Sequence, residues 1–336
     1  MTSPSFERVN YLLRPNKNIE RKMIFDRLAH IGGTLDFRGC RYVGFGSLWF
    51  VDFVLAHRML KIQDMLSIEN PEYAERADFN RPYSSIEVRP GWSTDILNDM
   101  QEAEWERPQV VWFDYDGTLD DTVVADLEIL IRKLSAGSVL LLSVNGTRRS
   151  YRRTPAGGKG GLTSVDALKG YLGEDAIASE FELTADAFPD VSEAQFPAFL
   201  AASLLNFIRR KIRTSGRQEG ENGVSFIPSF NFCHIDGVEM VTVGGVLVES
   251  AKVEEAEQML VRSGVSLDDS KTPKHAALDL IQLTAKEKSV LDRLLPSGAD
   301  GFEARAQGKG LCLPNEQYAK YRDHYLYFPV FAETHF

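Results

Sequence analysis

The reading of the fold turns on Arg41–Asn70, RYVGFGSLWFVDFVLAHRMLKIQDMLSIEN. Tyr42-Val43 leads into Gly44-Phe45-Gly46, Phe50 to Leu60 is apolar at helical spacing, and Met65-Leu66-Ser67-Ile68 ends on Glu69. The pattern is strand, glycine turn, helix, strand. In an open α/β sheet a ligand sits outside the carboxyl ends of the strands. Glycines after the first strand let the backbone approach that ligand, because no Cβ intervenes. An acid ending the next strand can accept hydrogen bonds from two ribose hydroxyls. A lone Gly-x-Gly is also what an ordinary tight turn looks like. With the acid and both strands in place, the stretch predicts a site for a ligand containing a nucleoside.

The chain continues in the same idiom. Ser85-Ile86-Glu87-Val88 predicts a third strand, running into Pro90-Gly91-Trp92-Ser93-Thr94-Asp95. A fourth, Gln109-Val110-Val111-Trp112-Phe113, ends at Asp114-Tyr115-Asp116, and a fifth, Ser138–Leu142, ends at Ser143-Val144-Asn145. Strands alternating with helices imply right-handed crossovers and a parallel sheet covered on both faces. Val224–Cys233 and Val238–Val248 flank His234-Ile235-Asp236-Gly237, a hairpin signal. The expected fold is α/β, a Rossmann-like doubly wound, mostly parallel sheet that ends in an antiparallel hairpin. The expected boundaries are a helical segment over 1–37, the sheet domain over 38–250 with an insert at about 146–205, and a mainly helical accessory region over 251–336.

The whole chain bounds the function classes. Its 336 residues suffice for one large domain with appendages or for two domains. A net charge of −10 argues against nucleic-acid binding by the whole surface, though local basic loops could still take an anion. Cys40, Cys233 and Cys312 lie far apart without CxxC spacing, which fits a reducing compartment and neither a disulfide framework nor a zinc finger. There is no signal-peptide pattern and no apolar run of membrane-spanning length, so the expected location is cytoplasmic, with no membrane partner.

Several polar clusters have both a bland and a sharp reading. In NKNIERKMIFDRLAHIGG, Ile19, Met23, Ile24 and Leu28 make an apolar face, and Lys17, Glu20, Arg21 and Lys22 a polar one. That is a helix packed on the sheet, or a lid bringing Asn16, Lys17 or Asn18 to a ligand. Arg148, Arg149, Arg152 and Arg153 follow the fifth strand, where a substrate or other anion would be met, and Arg209, Arg210, Lys211 and Arg213 form a second cluster. Such clusters are solvated faces, or sites for an anionic substrate or nucleic acid whose binding salt would weaken. LTAKEKSVLDRLLP reads as a packing helix, since no basic recognition helix follows it.

The order of motifs resembles the class I S-adenosylmethionine-dependent methyltransferases: Gly-x-Gly after strand one, Glu after strand two, Gly-x-Ser-x-Asp after strand three, Asp at the tip of strand four, then a late hairpin. GWSTDIL, VVWFDYD and LLLSVN resemble the catechol O-methyltransferase-like group, and PNKNIERK, YVGFGS and YFPVF resemble a bacterial O-methyltransferase family. The resemblance to the methyltransferase core covers roughly residues 38–250. It implies S-adenosylmethionine as cofactor, with Gly44 and Gly46 bordering its methionine part, Glu69 on the ribose, Trp92 and Ser93 flanking the adenine, and Asp114 near the sulfonium and the acceptor. Two departures stand out. Tyr42 replaces the acid that commonly precedes the first glycine by two residues, and Val144 replaces one ligand of the Mg²⁺ that some relatives bind. Asp114, Asp116 and Asn145 would be the hard oxygen ligands if Mg²⁺ were used. Asp114, Asp116 and His234 are the candidate bases for methyl transfer to an unidentified acceptor, small molecule or macromolecule.

The same VVWFDYDGTLDD also resembles the DxDGT signature of haloacid-dehalogenase-like phosphatases. There Asp114 would be the nucleophile, Asp116 the acid/base, Ser143 the phosphate-binding hydroxyl, and Mg²⁺ the partner. The best source of the lysine and acidic pair that such an enzyme needs is Asp268-Asp269-Ser270-Lys271, which lies in a polar loop with no convincing strand before it. A third possibility is a partner subunit that binds S-adenosylmethionine without catalysis.

Overall fold

The computed structural model of the chain describes residues 14–32, 35–152, 161–184, 189–219, 223–296 and 300–329. Its framework is one eight-stranded sheet in the order β3-β2-β1-β4-β5-β7-β6-β8. The strands are β1 (Arg41–Gly44), β2 (Asp64–Glu69), β3 (Ile86–Pro90), β4 (Gln109–Asp114), β5 (Val139–Asn145), β6 (Val224–Ile235), β7 (Glu239–Glu249) and β8 (Ala276–Leu278). The first five pair in parallel, and β7 enters antiparallel between β5 and β6. This parallel sheet closing on an antiparallel hairpin is the class I methyltransferase fold that the resemblance implies. β4 and β5 are near-continuous apolar runs because helices cover both of their faces.

The helices follow in chain order: α1 (Pro15–Ile31), α2 (Val51–Leu60), α3 (Ala74–Asn80), α4 (Ser93–Asp99), α5 (Glu102–Trp105), α6 (Asp121–Lys133), α7 (Ser164–Leu172), α8 (Phe196–Thr214), α9 (Val253–Arg262), α10 (Ala285–Asp292), α11 (Phe302–Gln307) and α12 (Asn315–His324). One core lies between the sheet and α4, α6 and α8, through Leu97, Leu127, Leu130, Phe199 and Leu204. On the opposite face α1, α2 and α9 bury Leu28, Phe53, Leu60 and Leu260. A third, smaller core gathers Leu291, Phe302, Tyr318 and Tyr321 of the C-terminal helices around Ile19 of α1.

The hairpin forms at the expected place, with Gly237 in the left-handed region (φ 89°) and Ile235 opposite Glu239. Its register shifts between Pro228 and Phe230, where proline has no N–H for the ladder.

Three features refine the sequence reading. The helix expected from Phe50 begins at Val51, and Phe50 is instead a left-handed residue capping it (φ 47°). The accessory region is not only helical, because its Ala276–Leu278 runs parallel to β6 as the eighth strand. Most consequential, α1 packs on the sheet with its polar face inward: Lys17, Glu20 and Arg21 are buried, each paired with an opposite charge or a histidine on the domain below. The LTAKEKSVLDRLLP segment is a packing helix, α10, with Leu291 fully buried. Among the described residues no helix is long and apolar enough to cross a membrane.

Candidate active site

In the strand order 3-2-1-4, chain direction reverses its lateral progress between β1 and β4, which opens a crevice at their carboxyl ends. A cavity of about 570 Å³ lies there. Its lining comes from the tips of β1 to β4: Phe45-Gly46-Ser47 after β1, Glu69 at the end of β2, Gly91-Trp92-Ser93 after β3, and Asp114 to Thr118 after β4. Arg21 of α1, Asp52 of α2 and the first turn of α6 complete the wall.

The loop after β1 is held in an unusual shape. Ser47 and Phe50 both take left-handed backbone conformations (φ 52° and 47°), which cost non-glycine residues energy and persist only where surroundings impose them. Here the surroundings are the end of β2. Gly46 N donates to Ser67 Oγ at 2.9 Å, Ser47 N donates to Glu69 Oε1 at 2.8 Å, and Ser67 Oγ donates to the same carboxylate oxygen at 2.7 Å. A Cβ on Gly46 would stand 2.4 Å from the Phe50 ring and 2.6 Å from Ser67 Oγ, so only glycine closes this turn. Gly44 does not line the cavity. A Cβ there would stand 2.9 Å from the Trp112 carbonyl oxygen, so its role is close packing of β1 on β4.

Glu69 is buried, and burial pushes its carboxyl above the usual range, while hydrogen bonds from Ser67, Ser47 and Gly46 oppose the shift. Trp92 stands 63% exposed at the cavity mouth, whereas Ser93 is buried at the start of α4. On the floor, Phe45 stacks on Phe113 (4.7 Å between centroids) and meets Tyr115 edge-on. Tyr115 is anchored by its hydroxyl on Asp126, which also accepts from Thr94 Oγ1 at 2.5 Å.

At the tip of β4, Asp114 is held by the Lys17 ammonium, with Arg21 Nη2 at 3.7 Å from the same oxygen. Burial raises the Asp114 carboxyl, but the charges of Lys17 and Arg21 prevail and hold it below the ordinary aspartate value. Its other oxygen, Oδ1, is buried with no hydrogen-bond partner among the described residues. Asp116 is exposed on the cavity rim.

The structure does not bring every expected residue here. Asn145 lies outside the lining: its Oδ1 accepts from Thr147 N at 2.8 Å and its carbonyl from Tyr151 Oη at 2.7 Å, so it shapes the turn after β5. His234 is buried and paired with Glu20, also outside the lining. Asn16 binds the carbonyls of Ile235 and Leu280 and the carboxylate of Asp236, clamping α1 to the hairpin. Arg148 spans Glu193 (3.0 Å) and the Val191 carbonyl (2.8 Å), and Arg152 approaches Asp190 (3.6 Å). Arg149 is exposed, and Arg153 falls outside the described residues. In the second basic cluster Arg210 pairs with Asp175 and Lys211 with Glu128, Arg209 holds Thr272, and Arg213 is exposed. Sequence reading left Arg21 and Asp52 out of the site. Their signal was the recurrence of Lys17, Glu20 and Arg21 at one-turn spacing, which marks a single helix face.

These observations bear on the metal site and on the phosphatase alternative. An ammonium already occupies the place a cation would take at Asp114, and Asn145 is committed to its own turn, so the proposed oxygen ligands do not suit Mg²⁺. No group of three or more His, Cys, Asp or Glu among the described residues is placed to hold a metal. The phosphatase reading is overturned. Ser143 Oγ, its phosphate ligand, is buried between Trp112 Nε1 (2.9 Å) and Thr242 Oγ1 (2.8 Å), and Asp268 folds back on Ser270 and Thr272 far along the chain.

The family model described as "Putative O-methyltransferase" matches residues 9–336. The chain belongs to that family. Among solved structures it is similar to the LepI complex with SAM (11% identity, 73% of this chain and 49% of that one, TM-score 0.33). It is also similar to the mitomycin 7-O-methyltransferase MmcR (16%, 67% and 54%, TM-score 0.30). A third is Trm1 from Pyrococcus horikoshii with S-adenosyl-L-methionine (9%, 91% and 78%, TM-score 0.46). The chain spans about half the length of the LepI structures it matches, 43% and 49%. No curated protein matches it.

Proposed function

We propose that this O-methyltransferase-family chain binds S-adenosylmethionine in the cavity at the tips of β1 to β4 and transfers its methyl group to an acceptor oxygen. The observation that carries the reading is the Ser47–Ser67–Glu69 hydrogen-bond knot, which sets a buried carboxylate beside a glycine turn at the sheet's switch point. That arrangement suits a nucleoside: Glu69 accepts from the ribose hydroxyls, Gly46 lets the backbone approach, and Trp92 and Ser93 border the base. Across the sheet, two strand spacings separate the tips of β2 and β4, roughly 10 Å, a span that suits a ribose at one end and a sulfonium at the other. When bound, the cofactor supplies an electrophilic methyl on a good leaving group, so the protein's task is to align the acceptor and take its proton.

Asp114, ionised and with one oxygen unsatisfied, orients groups at the reacting end. Its paired, low-pKa carboxylate makes a poor base. Asp116, on the rim, is the better-placed proton acceptor. The acceptor itself is a small molecule or a macromolecule; in the loop after β5, Arg148 is tied to Glu193 and Arg152 approaches Asp190, while Arg149 stays exposed to meet an anion. Buried Cys40 and Cys233 and exposed Cys312, all free thiols, suit a reducing compartment such as the cytoplasm.

Calorimetry with S-adenosylmethionine tests the reading directly. Binding that disappears in Glu69→Ala supports it, and release of S-adenosylhomocysteine with a candidate acceptor separates an enzyme from a non-catalytic partner subunit. Failure of the wild-type chain to bind the cofactor would end it.

A further inference from the structure

The cavity is lopsided in charge. Asp52, Glu69, Asp114, Asp116 and Asp120 line it, and Arg21 is the one cationic side chain among the described lining residues. Four of the five acids have assignments or positions that set them apart. Glu69 is tied to Ser47 and Ser67, Asp114 to Lys17, Asp120 caps α6 through Val123 N, and Asp116 is out on the rim. Asp52 is different. It sits in the first turn of α2, immediately beyond the glycine loop, and Arg21 reaches it from α1 with Nε 2.7 Å from Oδ1. Both residues are buried, 7% and 3% exposed, yet both face the cavity.

An α-amino acid carries an ammonium and a carboxylate on one carbon. A site for it needs one negative and one positive group side by side, shielded from water so that each charge-assisted hydrogen bond counts. We infer that Arg21 and Asp52 are the recognition pair for the zwitterionic amino-acid end of S-adenosylmethionine, Arg21 for the carboxylate and Asp52 for the ammonium. The inference rests on the cofactor reading above. It makes α1 part of the binding site and gives the cavity a way to distinguish the full cofactor from adenosine derivatives without an amino acid.

The competing view is that the pair only ties α1 to α2. Calorimetry on the full chain with two ligands separates these views: S-adenosylhomocysteine, and 5′-methylthioadenosine, which keeps the nucleoside and sulfur but has no amino acid. The wild type should prefer S-adenosylhomocysteine by at least about 30-fold, as two charge-assisted hydrogen bonds would supply. Arg21→Met and Asp52→Asn should each weaken S-adenosylhomocysteine about 10-fold or more and leave methylthioadenosine within about 2-fold. Arg21→Lys should recover part of the loss. Unchanged methylthioadenosine binding also reports an intact pocket. If both ligands weaken together in the variants, or the wild type does not discriminate between them, the pair is structural and the inference falls. If the wild type binds neither ligand, the cofactor reading itself has failed, and the inference with it.

Discussion

Lys17 and Asp114, 97 residues apart in the chain, form a buried ion pair that fastens the first described helix to the tip of β4. Their side chains are 4% and 14% exposed. Removing one partner of such a pair leaves an uncompensated charge, which costs about 3–5 kcal/mol, whereas replacing both with apolar groups is often neutral. Lys17→Met should therefore lower the denaturant midpoint markedly. The double variant Lys17→Met/Asp114→Leu should recover most of the stability while losing methyl transfer. A single variant as stable as the wild type would show that the pair carries no structural burden.

Replacing Glu69 with Ala removes the acceptor for Ser47 N and, on the cofactor reading proposed above, the acceptor for the ribose. Hydrogen bonds to a charged group contribute about 1.5–3 kcal/mol each, so calorimetry should show at least a 10-fold loss of affinity for S-adenosylhomocysteine. Full affinity in this variant would move the nucleoside elsewhere.

Gly46→Ala places a methyl 2.4 Å from the Phe50 ring, on a loop that already holds left-handed residues. We expect a lower melting temperature and more than 10-fold weaker cofactor binding. Gly170→Ala is the control. That residue is in α7, and nothing lies within 4 Å of an added Cβ. Helix propensity predicts a stabilisation of up to about 1 kcal/mol, with binding unchanged.

The pH dependence of binding follows from Glu69. Its carboxyl is raised by burial above 4.5, so in the free protein it takes up a proton earlier on acidification than an exposed glutamate does. Because the native state then binds protons more readily than the unfolded one, Glu69 makes stability fall as pH rises through the interval between its unfolded and folded values, and has no further effect above it. Binding runs the other way, since the ribose needs the ionised acceptor. Affinity for S-adenosylhomocysteine should drop as pH falls, with a midpoint above that of an exposed glutamate, and Glu69→Gln should flatten that limb. Asp52, also raised by burial, titrates in the same direction, so Asp52→Asn belongs beside it in the titration.

Replacing Arg148 with Ala should destabilise the segment after β5 by about 1 kcal/mol, because the Val191 carbonyl loses its donor while the exposed Glu193 returns to water. Cofactor affinity should stay within 2-fold, and any anion binding should keep its salt dependence. A large change in that salt slope would return Arg148 to substrate recognition.

Local pattern carried the sheet. Strands β2, β4 and β5 are short apolar-rich runs and β1 and β3 brief β-rich stretches, each followed by turn residues, a signal confined to a few consecutive positions, and Asp236-Gly237 announced the hairpin in the same way. Gly46 and Glu69 were legible too, because a glycine turn and an acid at the next strand's end are fixed by the chain's own sequence spacing. What lay beyond the sequence was the pairing of charges between distant elements. Lys17, Glu20 and Arg21 read from the sequence only as the polar face of a helix, and only docking supplies Asp114, His234 and Asp52 as partners. The three-residue strand β8 was hidden for the same reason, since its pairing to β6 has no local signature. The chain's periodicity dictated where strands and helices form; the tertiary packing decided which charges share a buried site, because desolvation and Coulomb attraction depend on separations in space that sequence distance does not encode.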